Sequence, residues 1–383
     1  MPSRKHRGIA LITAIWILVV LLILVGGFAA VIHSETEVAR NFGDVTRARW
    51  AAREGVRRAE IVVEQAAALP YTALTDEQRE IASPEGTGAA DEMAWQVTID
   101  DEAGKLNLNT AKREELAVLF PEAADAIIDW RDEDSIPGAQ GAEEDYYASL
   151  SPPYHCKNAP FATVGELRLV CGVTDEMLSE QVTEDGRTRE ELLTVSSSDS
   201  NTDAEGEPRL NVNTASKEEF TSRCGDVLTS REIDMIIRQR SSRQFTSPAD
   251  LLQVRRLSRD KVAQIYDRLT ASNAETLHGL VNVNTAPLEV LAVLPGMTDA
   301  VVQAIIARRD EQPFTGVGQV LAINSISTSA FRQIAGRLTA RSKTFGVRST
   351  GRTADGLTNT VTCLLQVDTD GGRTTTRTLY WRE

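Results

Sequence analysis

From Ile9 to Ile32 no side chain is charged, and apolar positions then recur in steps of three and four through Val38, Phe42, Val45, Ala52, Val56, Ala59 and Val63, with Arg49 the one polar interruption. The first stretch predicts a membrane-crossing helix: it reaches about 36 Å, against about 30 Å for a bilayer's hydrocarbon core. The second predicts that the helix runs on into water with one apolar stripe to bury. No proline interrupts Ile9 to Ala67, so a single rod of about 88 Å is expected. Period-two alternation then marks strands at Trp95 to Ile99, Thr344 to Arg348, Thr358 to Val367 and Arg373 to Trp381, with Asp370-Gly371 as a hairpin turn between the last two.

Between the strand signals the chain repeats itself. LNLNTAKREEL (106–116), LNVNTASKEEF (210–220) and VNVNTAPLEVL (281–291) each run from a short alternation into a helix start. Asn or Thr is expected there to cap free N–H groups, with Glu114, Glu218 and Glu289 favouring the helix dipole. A second helix follows in AIIDWR (126–131), MIIRQR (235–240) and AIIARR (304–309), and then Phe161, Phe245 and Phe314 in register. Each copy reads as a cluster of short helices burying one apolar face. The Ser-, Asp- and Gly-rich stretch from Ser196 to Pro208 reads as a linker. The fold class is α+β: a long N-terminal helix and an antiparallel sheet, with a large all-α insertion.

The leader carries a resemblance. Arg4-Lys5-His6-Arg7-Gly8 followed by Ile9-Ala10-Leu11-Ile12-Thr13 resembles the leader of type IV pilin-class proteins, which a prepilin peptidase cuts after the glycine, leaving a methylated N-terminal residue. The resemblance implies cleavage after Gly8, methylation of Ile9 and a pilin-like sheet packed on the exposed half of the rod. Pilins usually carry Glu where Thr13 stands, a residue that neutralises a neighbouring subunit's terminal amine. A neutral residue there suits a subunit at a filament tip. A secretory signal fits less well, because its apolar part spans only about 7 to 15 residues. Arg4, Lys5 and Arg7 place the leader in the cytoplasm and the rest across the inner membrane, in the periplasm.

The first repeat also holds a long acidic insertion between Arg131 and Phe161, where the other copies have only a short connection. Asp132-Glu133-Asp134 and Glu143-Glu144-Asp145 flank a Pro137-Gly138 turn. Clustered oxygens with glycine bends suit a hard cation such as calcium, though the spacing is not that of an EF-hand loop. This segment, with the leader and rod, resembles the K-type minor pseudopilins of type II secretion. That resemblance implies a calcium-binding helical domain, with Asp132, Asp134, Glu144 and Asp145 as ligands. It also implies a role in starting or capping a short periplasmic filament for protein secretion. The implied partners are the I- and J-type minor pseudopilins, the prepilin peptidase and the inner-membrane assembly platform.

The repeats themselves resemble helix-hairpin-helix or SAM-like modules. A membrane-anchored DNA receptor of the competence type is therefore the alternative. The hairpin glycines that approach phosphates are largely missing, as Gly172 is matched by Arg256 and Ser325. Net charge is −14, with 4 basic against 13 acidic residues between 101 and 150, which opposes phosphate binding. The arginines of the second repeat are the exception.

On these readings the domains are the leader (1–8), the rod (9–67), a strand region (84–105), three helical units (106–195, 209–275 and 276–340) and C-terminal strands (341–383). Of four cysteines, Cys156 and Cys171 flank one short segment and are the favoured disulfide pair in an oxidising compartment. The four histidines are scattered, with no His-Glu-x-x-His or Gly-x-Ser-x-Gly pattern, so no enzyme is expected.

Overall fold

The computed structural model describes residues 6–83, 93–370 and 373–383. Residues 1–5 of the leader, residues 84–92 of the expected strand region, and Gly371 of the expected hairpin turn lie outside it. Helix α1 spans His6–Ala67 without a break. Its first half, from Leu11 on, exposes an apolar surface long enough to cross a membrane.

The apolar stripe after this membrane-length stretch divides in two. Ala48, Ala52, Val56, Ala59 and Val63 are buried, whereas Val38, Phe42 and Val45 stay exposed. The division follows from where the sheet begins. Strands β1 (Glu80–Ala82), β2 (Ala94–Asp101), β3 (Thr344–Arg352), β4 (Thr358–Asp370) and β5 (Arg373–Arg382) form one antiparallel sheet in that order. Its inward residues Val97, Ile99, Phe345, Val347, Val361, Cys363 and Leu365 alternate along the strands, as the pleat requires, and pack on the second half of α1. Each fully buried Val or Leu contributes about 1.5–3 kcal/mol.

Helix and strand approach closely where side chains are smallest. Ser349 Oγ donates to the Ala52 carbonyl at 2.7 Å. A Cβ on Gly351 would lie 2.0 Å from the Ala48 carbonyl oxygen and 2.5 Å from Ala52 N.

Neighbouring strands β2 and β3 are separated in the chain by the whole helical region, residues 102–343. Each of its three units opens and closes on a two-residue parallel ladder: Leu106-Asn107 with Leu193-Thr194, Leu210-Asn211 with Leu269-Thr270, and Val281-Asn282 with Leu338-Thr339. The asparagines do not cap the following helices; Lys112, Ser216 and Pro287 stand at those N-caps. Instead, the first Asn of each motif closes a turn, its Oδ1 accepting the N–H two residues on. The second, at 109, 213 and 284, pairs with a distant backbone. Its Oδ1 accepts from the N–H of Phe161, Phe245 or Phe314, and its Nδ2 donates to the same residue's carbonyl, all at 2.7–3.0 Å.

Arg131, Arg240 and Arg309 complete the motif by donating to the carbonyls of Leu108, Val212 and Val283. The three units share one apolar core, separate from that of the rod and sheet.

The stretch from Ser196 to Pro208 is not a free linker. Ser198–Ser200 pairs antiparallel with Thr276–His278, and Ser197, Ser198, Asp199, Asn201 and Asp203 are buried. Arg341 explains the burial: it donates to the Ser200, Thr202 and Asp203 carbonyls and pairs with Asp199.

A polar junction joins head to rod. The Asp101 carboxylate, at the end of β2, accepts from Asn282 Nδ2 at 2.7 Å, Thr285 Oγ1 at 2.6 Å and Ala103 N at 2.8 Å. Asn282 Nδ2 also donates to the Thr72 carbonyl, just past α1, and Thr72 N donates to Ala340 O. Burial pushes the Asp101 carboxyl above its ordinary value, while the donors around it pull the other way.

Gly351→Val should force helix and strand apart and cost about 1–3 kcal/mol by overpacking. Thermal melting of the detergent-solubilised chain measures it, and an unchanged midpoint would refute the close approach.

Candidate functional site

The acidic insertion is folded down by two carboxylates outside the expected ligand set. Asp125 and Asp129, one turn apart on helix Ala124–Arg131, are both buried. Asp129 accepts from Gly138 N at 3.0 Å on Oδ2, and Asp125 Oδ2 accepts from Gln140 N at 3.0 Å. Arg113 forms a two-pronged pair with Asp125, its Nη2 3.2 Å from Oδ2. That pair holds the Asp125 carboxyl below its ordinary value, with the Gln140 N–H adding to the effect.

Bringing the loop this near requires glycine. A Cβ on Gly141 would lie 1.7 Å from Asp129 Oδ2. The signal was present in the sequence as two aspartates at i and i+4 before a Pro-Gly-rich turn, but helix packing alone also accounts for such spacing.

The fold gathers Asp132, Asp134 and Glu143, one oxygen from each lying within 4.8 Å of the others. Glu143 is only 7% exposed. Both of its carboxylate oxygens, and Asp132 Oδ1, are buried with no hydrogen-bond partner. Burial pushes the carboxyls of Asp132 and Glu143 up; the Cys156 side chain beside Glu143 pulls the other way, and neighbouring acids add to the rise, Asp134 for the first and Asp129, Asp132 and Asp134 for the second. Buried, unpartnered, like-charged oxygens are costly alone and fit a hard divalent cation, which accepts 6–8 such ligands.

Glu144 and Asp145, expected as ligands, are not in this group. Glu144 turns to His155, with Oε1 2.6 Å from Nδ1, and its Oε2 accepts from Cys156 N at 3.0 Å. Asp145 is exposed. The reason lies in the short helix Glu144–Ala148: Tyr147 is fully buried against Trp130, with ring centroids 5.1 Å apart. The position four residues earlier, Glu143, shares that inward face.

The expected Cys156–Cys171 bond is not formed; all four cysteines are free. Cys156 Sγ faces the Asp129 carbonyl, while the Cys171 backbone N–H is taken by the Tyr147 hydroxyl at 3.2 Å. Burial pushes the Cys156 thiol up to about 11. At the other end of the chain, Gly8 and Ile9 lie within α1, and Thr13 is exposed on its membrane-length part.

A family model described as type II secretion system (T2SS), protein K matches residues 104–181, the unit holding this acidic group. The type II secretion system protein K of Klebsiella pneumoniae is 27% identical over 45% of this chain and 59% of its own length. The resemblance to the type II secretion protein K family is borne out.

The protein K of Pectobacterium carotovorum subsp. carotovorum is 42% identical over 14% of this chain and 16% of its own. The match to each of these curated relatives thus spans less than two thirds of the relative's length. A crystal structure of the GspK-GspI-GspJ complex from enterotoxigenic Escherichia coli aligns with 88% of this chain and 97% of the matched chain, at 15% identity and a TM-score of 0.47. A helix-hairpin-helix model matches residues 278–339, the third unit. The protein K matches do not favour the DNA-receptor alternative.

Gly141→Ala should displace Asp129 and lift the loop, costing about 1–3 kcal/mol. Limited proteolysis should then cut between 132 and 143 faster than in the parent chain; equal rates would refute the packing.

Proposed function

We propose that this chain is a minor pseudopilin at the tip of the type II secretion pseudopilus, where it starts or caps filament assembly for protein secretion across the outer membrane. The observation that carries the reading is the division of α1. From Ala48 on, one face of it is covered by the chain's own sheet, whereas Phe42, at 75% exposure, and Val45 just before that point offer apolar surface to other helices. Packing that surface beside sister rods is worth about 25 cal/mol per Å² before the cost of association.

The insertion of residues 102–343 between β2 and β3 gives the subunit a head much larger than its sheet. A head of this bulk supports a terminal position, since a shaft subunit must admit neighbours on all sides. Thr13 fits the same place, because a tip subunit has no earlier amine to neutralise. The partners in this reading are the I- and J-type minor pseudopilins, a prepilin peptidase acting between Gly8 and Ile9, and the inner-membrane assembly platform. The head stands in the periplasm, and its role is architectural and not catalytic.

Calcium belongs to the same proposal, with Asp132, Asp134 and Glu143 as its protein ligands in place of the set that included Glu144 and Asp145. Bound there, it supplies the positive charge that three converging carboxylates lack. It thereby stiffens the first unit.

Mass spectrometry of the protein purified from its membrane should find N-methylated Ile9 as the first residue; a mature form retaining Met1 to Gly8 would overturn the reading.

Calcium should raise the melting midpoint of the chelator-treated chain, because a ligand held only by the folded state stabilises it. The double substitution Asp132→Asn/Glu143→Gln should abolish that rise. A rise of the same size in the double variant would remove the ligand assignment.

A further inference from the structure

The second repeat holds a charge arrangement that the pseudopilin reading does not use. Arg231 and Arg238 lie two turns apart on one face of helix Ser230–Ser242. Arg256 reaches the same side from the turn between the 3-10 helix Pro248–Gln253 and the helix Arg259–Ile265. All three line a surface pocket of ≈ 320 Å³ that also includes Glu232 and Asp234.

Both acids are already neutralised. Lys261 Nζ sits 2.8 Å from each Glu232 oxygen, and Lys217 Nζ is 2.7 Å from Asp234. The three guanidiniums are exposed and have no hydrogen-bond or ion-pair partner among the described residues. Three uncompensated positive charges therefore converge on one concavity in a chain whose net charge is −14. Placing like charges together is unfavourable unless an anion joins them.

Arg256 adds a second indication. Its backbone is left-handed, with φ 68, where the first repeat has Gly172 at φ +78. A side chain makes that conformation costly, so glycine is the residue the backbone prefers there. Strain of this kind is kept where the side chain has a use.

We propose that this pocket binds a phosphate monoester group. Such a group carries about −1.5 to −2 charges and three strong acceptor oxygens, one for each guanidinium, whereas a carboxylate offers one charge and two oxygens. A soluble phosphate ester and a phosphatidic acid headgroup share this chemistry.

The test uses the full-length chain in detergent, titrated calorimetrically with inorganic phosphate at fixed ionic strength in chloride. One phosphate should bind per chain. Arg231→Gln and Arg238→Gln should each weaken binding by about tenfold, as expected for one charge-assisted hydrogen bond, and the triple variant with Arg256→Gln should abolish it. Arg256→Gly separates binding from folding: affinity should fall while the melting midpoint stays level or rises.

A short-chain phosphatidic acid below its micellar concentration identifies the source. Tighter binding than phosphate assigns a lipid headgroup, and weaker binding assigns a soluble ester. Absence of saturable phosphate binding, or binding undiminished in the triple variant, would overturn the proposal. So would duplex DNA held through these arginines more tightly than either inorganic phosphate or the phosphatidic acid.

Discussion

A buried carboxylate, Asp101, ties the head to the rod and sheet. The rod and sheet have one apolar core and the helical units another, so apolar burial alone does not fix their mutual orientation. Asp101 adds direction, by accepting from Asn282 and Thr285 of the third unit while its own strand packs on α1, and the Ser198–Thr344 hydroxyl pair acts with it. Apolar contacts tolerate sliding; hydrogen bonds have a preferred direction. Burial raises the Asp101 carboxyl, while hydrogen bonds from Ser342, Thr285, Asn282 and Ala103 pull the other way and favour its charged form. Thr72 is drawn into the same knot through Asn282, so the end of the rod, the sheet and the head meet at one asparagine.

The same economy recurs inside each helical unit. Asn109, Asn213 and Asn284 treat a phenylalanine backbone as a strand would, taking its N–H and supplying its carbonyl. A unit with only two-residue ladders has few backbone pairings of its own, and a side-chain amide supplies two more. This explains why the motif contains asparagine at that place: its amide offers an acceptor and a donor together, where aspartate offers only acceptors.

Much of the architecture was legible in the sequence because periodicity reports burial directly. The alternation at Trp95 to Ile99 and in the C-terminal strands, the uninterrupted rod and the three helical copies all declare themselves this way. What stayed hidden depended on contacts distant in sequence. Nothing local distinguishes Phe42, left bare, from Val56, which the sheet covers, since the covering strand arrives about 290 residues later at Ser349. The polarity of Ser196 to Pro208 suggested a linker, because Arg341, whose bonds make its burial tolerable, is equally remote. In the acidic insertion the expected group was Asp132, Asp134, Glu144 and Asp145, whereas the fold gathers Glu143 with Asp132 and Asp134. The burial of Tyr147, which turns Glu143 inward, follows from its packing on Trp130 and not from the pattern of acids.

The separation of β2 from β3 by the entire head has a temporal consequence. A chain synthesised from its N-terminus completes α1 and β2 first and β3 to β5 last. Until then, Ala52, Val56, Ala59 and Val63 have only β1 and β2 to lie under. The chain thus reaches its finished shape only after its last strand has been made, so a truncated copy leaves that part of the rod only partly covered. Strand order in this way acts as a completeness check written into topology.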